Sequence, residues 1–442
     1  MAKNFFVCTL GCKTNQYESQ GIRETLLAAG LREVRAGTRA EVAVVNTCAV
    51  TSRAEASSRR HLRKALRMAE RVVLTGCAVD LNRPWTLNLP SAVVKIGNRE
   101  KHRIIEILAL GASLSLAQSN FPFALQGFAG HRRAFVKIQD GCAEGCSYCV
   151  IPAARGRPRS RPLAEILEEA RRLIANGYRE IALTGINIGA YRADDGAGLA
   201  AVVRALANLP GLYRLRLGSV EPHLVDDALL AAMQHPGVCP HLHLPLQSGD
   251  DGILRAMRRP YTSAEFLHTV DRIRRALDRP AITTDIIVGF PGEGDREFAN
   301  TMRVSAAAGF SRLHVFPFSP RPGTIAATLP RSEPQRLLVE RERRLLAFAK
   351  EAEAAFARQW LGCELEVYVE RRRGGVGSGY SDRYVRVAFP CPPEAVGKMA
   401  RVCPTAWRGT ELWTPRACVL RPPSVHSTDS AETLAAVRDY SC

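Results

Sequence analysis

The sequence predicts an α/β protein: two successive arrays of strand and helix, then a small β-barrel. Three observations carry this expectation. Short apolar or β-branched runs alternate with segments of helical spacing over residues 5–96. The same alternation resumes over residues 134–317, and short β-type runs broken by glycine follow residue 361.

In the first array the expected strands are residues 5–9, 41–45, 71–75 and 92–96, with helices at 16–29 and 52–70. Such alternation implies a parallel sheet with helices on its faces. Residues 107–130 carry no charge and end in Gln126-Gly127-Phe128-Ala129-Gly130, so a domain boundary is placed inside them. The second array has expected strands at 134–139, 180–183, 212–217, 241–244, 281–288 and 312–316. Its expected helices are 163–176, 199–208, 224–234, 263–277 and 295–308. Six βα repeats suggest an open, partial barrel, whose chemistry sits at the carboxyl ends of its strands. A long helix over 333–360 leads to β-type runs at 364–370, 383–389, 400–402 and 411–413, the texture of a small barrel. The expected domains are 1–115, 128–357 and 358–421, with a poorly ordered tail at 422–442.

The chain has 442 residues, of which 46% are hydrophobic and 24% charged, an ordinary globular composition. No apolar run approaches the ~20 residues of a membrane span, so no membrane partner is expected. The stretch 5–10 reads as a first strand and not as a signal peptide, which points to a cytoplasmic protein. The net charge of +18 fits a polyanionic partner, although free use of Arg would also produce it. Thirteen cysteines without an export signal favour metal or redox chemistry over disulfides.

The sharpest pattern is Cys142-x3-Cys146-x2-Cys149 on one tight loop after the first strand of the second array. Three thiolates there can bind three irons of a 4Fe-4S cube and leave the fourth open. A structural zinc loop would want a fourth nearby ligand. Cys12, Cys48 and Cys77 each lie just past an expected strand, in Leu10-Gly11-Cys12, Asn46-Thr47-Cys48 and Thr75-Gly76-Cys77. At the carboxyl edge of a parallel sheet these thiols would converge; three unrelated buried thiols are the alternative. Cys8, Cys239, Cys363, Cys391, Cys403, Cys418 and Cys442 are assigned no ligand role.

In this setting Cys142-x3-Cys146-x2-Cys149 resembles the radical S-adenosylmethionine superfamily. Leu10-Gly11-Cys12-Lys13-Thr14-Asn15, Asn46-Thr47-Cys48, Thr75-Gly76-Cys77 and Ile151-Pro152-x-x-Arg155-Gly156 together resemble its methylthiotransferases, over residues 5–421. The resemblance implies a flavodoxin-like first domain, a partial (β/α)6 barrel and a TRAM-like, OB-like barrel that binds RNA. It implies two 4Fe-4S clusters, one on Cys142, Cys146 and Cys149 and an auxiliary one on Cys12, Cys48 and Cys77. It also implies S-adenosylmethionine, an electron donor such as flavodoxin or ferredoxin, and a sulfur source. One S-adenosylmethionine would give a 5′-deoxyadenosyl radical that activates a carbon–hydrogen bond, and a second would methylate sulfur carried by the auxiliary cluster. Lys13 with Asn15 looks like the branch acting on threonylcarbamoyladenosine, in the tRNA anticodon stem-loop. The rivals are the branches acting on isopentenyladenosine or on a ribosomal protein side chain, and a non-catalytic iron–sulfur RNA-binding protein. Ala153 departs from the bulky aromatic common in the family and leaves the pocket shape open.

The family places Tyr148 against the cofactor adenine, and a ring beside a cluster ligand is well positioned to stack. Turns at expected strand ends resemble the family's cofactor-lining segments: 184–187, 218–222, 246–249 and 285–293. From them Gly185, Glu221 and Gln247 join Tyr148 as candidate cofactor-binding residues. Arg155, Arg157, Arg159 and Arg161 alternate after the cysteine loop and could meet phosphates or a cofactor carboxylate. Residues 53–71 carry seven basic and two acidic side chains on an expected helix, which reads as an exposed face. Residues 358–421 carry eleven basic and six acidic side chains interleaved with Tyr368, Tyr380, Tyr384, Trp407 and Trp413, a composition suited to RNA.

Overall fold

Five parallel strands form the first sheet: β1 (Asn4–Thr9), β2 (Arg32–Glu33), β3 (Ala40–Thr47), β4 (Ala69–Gly76) and β5 (Val93–Ile96), in the order β2-β1-β3-β4-β5. The structure is a computed structural model that describes residues 3–108, 121–330 and 333–419. The strand order is flavodoxin-like, with a topological switch point between β1 and β3. The strands are apolar on both faces, as a sheet covered on both sides demands. Val42 and Val44 join one core cluster with Phe5 and Val73, while Ala43 and Val45 join another with Phe6, Val72 and Leu74.

The connecting helices are α1 (Lys13–Ala28), α2 (Ser52–Met68), α3 (Cys77–Asp80) and α4 (Ile104–Ile107). Helix α1 starts three residues before the expected position because extended Cys12 serves as its N-cap. Helix α2 ends at Met68 because Ala69 is already extended and pairs with Ala40 in the sheet. β2 escapes the sequence pattern: two residues held by backbone bonds from Arg32 N to Lys3 O and from Val34 N to Phe5 O have no apolar alternation to show.

The second array comprises β6 (Ala134–Lys137), β7 (Gln139–Asp140), β8 (Arg159–Ser160), β9 (Glu180–Thr184), β10 (Arg214–Arg216), β11 (His241–His243), β12 (Ala281–Val288) and β13 (Arg312–Pro317). β6, β9 and β10 form one parallel sheet, and β11, β12 and β13 another. Parallel bridges Leu215↔Val238 and Ser219↔His243 join them into a six-stranded partial barrel. β7 and β8 pair antiparallel at the root of the cysteine loop. The helices are α5 (Ile151–Arg155), α6 (Leu163–Ala175), α7 (Leu199–Ala207), α8 (Asp227–Met233), α9 (Asp251–Ala256), α10 (Ser263–Ala276), α11 (Asp295–Ala308) and α12 (Gln335–Arg358). α5 and α9, of five and six residues, are too short for periodicity to reveal. No described helix is long and apolar enough to cross a membrane.

By backbone proximity the chain divides into two compact units, Met1–Phe356 and Ala357–Cys442. The boundary expected inside 107–130 falls largely on residues 109–120, and the expected tail on 420–442, outside the described residues. In the second unit β14 (Leu365–Arg373), β15 (Val376–Ser381), β16 (Arg386–Pro390), β17 (Met399–Val402), β18 (Ala406–Trp407), β19 (Leu412–Trp413) and β20 (Ala417–Val419) make one curled sheet, a half-barrel. Val367, Val369, Val387, Phe389 and Leu412 are among its buried residues. Gly379 permits close backbone approach, since a Cβ there would lie 1.8 Å from the Tyr368 carbonyl oxygen.

Within the first unit the two arrays meet through buried charge. Glu18 on α1 pairs with Lys101, with Lys137 of β6 at 2.7 Å and with Arg155 of α5 at 2.8 Å. Asp140 receives Lys137 at 2.7 Å and Arg155 at 3.1 Å. Burial alone would raise the Asp140 carboxyl, but Lys137 and Arg155 overcome it and hold it at about 2. A second buried group, Tyr17, Arg161 and Glu169, ties α1 to α6.

Ala at Glu18 would leave three buried cations short of a counter-charge and should cost about 3–5 kcal/mol of unfolding free energy. Ala at Glu33, whose pair with Arg23 is partly exposed, should cost less than about 1 kcal/mol. Denaturant titration of both variants measures the contrast.

Candidate functional site

Gly141 takes φ +76° before Cys142, and a Cβ there would fall 2.1 Å from the Arg157 carbonyl oxygen, so the β7–β8 clamp closes only over glycine. The loop is then pinned from several sides. Ser147 N donates to Met257 O at 3.0 Å, Ser147 Oγ to Ala256 O at 2.7 Å, and Ala326 N to Ser147 O at 2.8 Å. Backbone N–H groups of Glu144 and Ile151 point at the sulfurs of Cys142 and Cys149, at 3.5 and 3.4 Å. Burial and the neighbouring thiols push Cys149 up to about 12.

The other three cysteines sit past adjacent strands: Cys12 after β1, Cys48 after β3 and Cys77 after β4. Their turns are tied together by side chains. Asn15 Nδ2 donates to the carbonyls of Leu10 at 2.7 Å and Thr47 at 3.0 Å. Thr47 Oγ1 donates to Thr75 O at 2.6 Å, and Ser58 Oγ accepts from Cys48 N at 3.1 Å. Gly11, at φ +94°, has room for no Cβ, which would lie 2.9 Å from Cys48 Cβ and 3.0 Å from its sulfur. Cys48 and Cys77 are buried and Cys12 is exposed. Burial, opposed by a bond from Val50 and reinforced by Cys77 and Cys12, pushes Cys48 up to about 11. The turns that carry Cys12, Cys48 and Cys77 are therefore held together at one edge of the sheet.

The two cysteine sets are neighbours. Ala154 of α5, five residues beyond Cys149, packs with Ala49, Cys77 and Ala78. Arg155 Nη2 donates to Asn15 Oδ1 at 2.7 Å while its other nitrogen holds Glu18 and Asp140. The segment Ile151–Arg155 is the spacer between the sets.

The candidate cofactor-binding residues separate into groups. Tyr148 packs among Ile253, Met257, Phe290 and Ala326, with its ring edge-on to Phe290 at 6.4 Å. Glu221 pairs with Arg259, whose Nη1 donates to Cys146 Sγ at 3.2 Å. Burial lifts the Glu221 carboxyl above its usual range against the pull of Arg259. Gly185 offers its carbonyl to Thr14 Oγ1 at 3.3 Å. Gln247 takes φ +66° and is linked to Asp285 and Ile287 through backbone bonds. Arg259, Tyr261 and Gln139 escaped the sequence reading. Arg259 Nε donates to Tyr261 Oη at 2.9 Å. Gln139 Oε1 accepts from Ile186 N and Asn187 N, while its Nε2 donates to Gly141 O at 2.7 Å. None has a spacing signal, because each also bonds to a segment distant in sequence: Arg259 to Cys146, Tyr261 to Pro245 and Gln139 to Ile186 and Asn187.

The arginine row expected to face phosphates or a cofactor carboxylate is not a row. Arg155 lies in a helix and is buried with Glu18 and Asp140, Arg161 is buried with Glu169, and Arg159 turns to Asp140 at 3.5 Å. Only Arg157 is exposed. Partnering buried carboxylates dominates because an unpaired buried carboxylate costs far more than a solvated loop cation gains.

Residues 136–304 match the Radical SAM superfamily, and residues 4–95 match the uncharacterized protein family UPF0004. The chain is 38% identical over 391 residues to a threonylcarbamoyladenosine tRNA methylthiotransferase MtaB of Chlamydia pneumoniae, covering 87% of this chain and 91% of that protein. It is 38% identical over 392 residues to the MtaB of Thermotoga maritima, covering 86% and 90%. A tRNA-2-methylthio-N(6)-dimethylallyladenosine synthase of Novosphingobium aromaticivorans is 36% identical over 386 residues, covering 84% and 87%. In fold it is similar to the radical S-adenosylmethionine methyltransferase TsrM of Kitasatospora setae, with TM-score 0.54, 14% identity and coverage of 86% and 81%. Radical SAM membership implies a 4Fe-4S cluster and S-adenosylmethionine. The chain is an enzyme and belongs to the methylthiotransferase family of the radical S-adenosylmethionine superfamily.

Proposed function

We propose that this enzyme transfers a methylthio group to C2 of N6-threonylcarbamoyladenosine beside the anticodon of cytoplasmic tRNA. The observation that carries the reading is the packing of α5, which follows Cys149, directly on Cys77. Two cysteine triads on facing edges suit one reaction that needs both. The activity of the MtaB relatives favours this nucleoside over the dimethylallyl one, since two of them are 38% identical and the dimethylallyladenosine synthase 36%.

In this reading Cys142, Cys146 and Cys149 hold a 4Fe-4S cluster with an open iron, and Cys12, Cys48 and Cys77 hold an auxiliary one. When bound, the first supplies an electron to S-adenosylmethionine and the second carries sulfur. The residues fit such groups. All six donors are thiols, the sulfurs of Cys142 and Cys149 receive backbone N–H groups, and Cys146 receives the Arg259 guanidinium. Hydrogen bonds to cluster sulfurs and nearby positive charge favour the reduced state. Arg259 also holds Glu221, so it positions that carboxylate beside the cysteine loop. Tyr148 supplies an aromatic wall next to Cys149.

The half-barrel fits RNA as a TRAM-like module. Arg371, Arg372 and Arg373 are exposed on the β14–β15 hairpin, and the Arg408 guanidinium lies 3.9 Å from the centroid of Trp413. A flavodoxin or ferredoxin would serve as reductant, and a separate sulfur source completes the reaction.

Mass spectrometry of tRNA nucleosides from cells lacking and regaining the gene tests the activity: the 2-methylthio form of threonylcarbamoyladenosine should vanish and return. A persisting 2-methylthio threonylcarbamoyl nucleoside, with loss of a dimethylallyl one instead, would assign the enzyme to the other branch. Anaerobically reconstituted protein should hold about eight irons, and about four after Ala replacement of either cysteine triad. Cys149→Ala should abolish 5′-deoxyadenosine formation. The Cys12/Cys48/Cys77 triple variant should still form it without methylthio product, and wild-type product from that variant would refute the sulfur role. Ala at Arg371, Arg372 and Arg373 should weaken tRNA binding and lower its salt slope by about one per lost phosphate contact.

A further inference from the structure

Three adjacent strands of the partial barrel bring together three side chains to which the reading above assigns no role, one of them, Asp285, at the start of the 285–293 segment. His243 ends β11, Asp285 lies within β12 and His314 within β13. In register, His243 is opposite Thr283 and Asp285 is opposite His314. Alternation puts Thr283 and Asp285 on one face of β12, and register adds His243 and His314 to it. The intervening Leu242, Ile282, Ile286 and Leu313 turn the other way, into the core that includes Phe266 and Val270 of α10 and Val304 of α11. The polar group thus faces the barrel interior, away from the helices.

Its geometry is that of a ligand set. His243 Nε2 is 3.3 Å from one Asp285 oxygen, and His314 Nδ1 is 3.1 Å from the other. One donor atom from each residue lies within 4.8 Å of the other two. Around an ion with bonds of about 2.0–2.1 Å, tetrahedral ligand atoms stand roughly 3.3 Å apart. The two imidazoles are nearly parallel, with centroids 5.7 Å apart and planes at 28°, so both present nitrogen to the same carboxylate.

A second contact fixes the ring that would ligate. His243 Nδ1 lies 2.9 Å from Thr283 Oγ1. If Nε2 binds an ion, Nδ1 carries the proton and donates to that hydroxyl, the outer-shell bond that metal-ligating histidines almost always make. The Thr283 hydroxyl can then donate to His241 Nε2, 3.3 Å away. All these residues stand on sheet strands, which hold donors more rigidly than loops.

We propose that His243, Asp285 and His314 form a mononuclear site for a divalent transition-metal ion. The site goes beyond the methylthiotransferase reading and uses none of its cysteines. Two imidazoles and one carboxylate suit zinc, manganese or ferrous iron, not a sulfur-bridged cluster. Three protein ligands leave at least one position, facing the barrel interior, for water or an oxygen ligand.

The test uses the anaerobically reconstituted full chain after a chelator wash and desalting. Manganese(II) is titrated in and the free ion followed by electron paramagnetic resonance. The expected result is about one manganese bound per chain, displaced by zinc(II). Asp285→Asn and His314→Ala should each weaken binding at least a hundredfold, and Thr283→Val about tenfold, the cost of a lost outer-shell partner. Far-UV circular dichroism and cysteine-bound iron should stay at parental levels. His314 is exposed, so its variant leaves the core intact. No bound manganese or zinc in the parent would overturn the proposal, as would binding that survives in both ligand variants. In either case the three residues are a hydrogen-bonded His-Asp-His cluster without a metal.

Discussion

The buried pairing of Arg155 with Glu18 and Asp140 is the constraint around which the first unit is arranged. The Arg155 side chain has no solvent exposure, and the carboxylates it meets have almost none. Removing such groups from water costs several kcal/mol per ion, and only close pairing with further hydrogen bonds repays it. That demand sets the docking of the first array on the second. Asn15 and Glu18 are three apart on α1 and so share a face, and both reach Arg155. Asn15 simultaneously holds the turns beside Cys12 and Cys48. One guanidinium therefore locates the turns of one cysteine set relative to the helix that follows the other.

The same network has an electrostatic consequence. Lys101, Lys137 and Arg155 face two carboxylates, Glu18 and Asp140. The Asp80 carboxyl also feels Lys101 and Arg155, and both cations act on Cys77. Burial pushes that thiol up; Arg155 and Lys101 oppose the push, while Cys12 and Glu18 add to it. Thiols must lose their protons to bind a metal, so positive charge beside Cys77 favours its thiolate form.

Topology explains why both sets lie where they do. Parallel strands end on one edge, and the order β2-β1-β3-β4-β5 opens a crevice beside β1 and β3 where helices leave on opposite faces. The cysteines follow β1, β3 and β4 at that edge. In the second array the cysteine loop likewise departs beyond β6, at a carboxyl edge. Glycine at φ +94° before Cys12, +97° before Cys77 and +76° before Cys142 lets the chain turn sharply just ahead of each of these cysteines.

Strand and helix alternation, the two parallel arrays and the Cys142-x3-Cys146-x2-Cys149 spacing were legible because each is local: a period of two or 3.6, or three cysteines within eight residues; Cys12, Cys48 and Cys77, 36 and 29 residues apart, were read only from their place just past three expected strands. Candidate site residues taken from motif turns were legible as positions but not as roles. Glu221 turned out to be held by Arg259, and Gln247 to be a backbone junction. The arginine row misled because alternation describes an extended segment, whereas Arg155 closes a short helix. Sequence by itself thus determined the fold class, the radical S-adenosylmethionine family and the basic character. Only the tertiary structure decided that Arg155 is a buried pivot, that Arg259 touches Cys146, and that His243, Asp285 and His314 meet. Those pairings span up to 140 residues of chain, and such contacts exist only once strand order and docking have brought distant segments side by side.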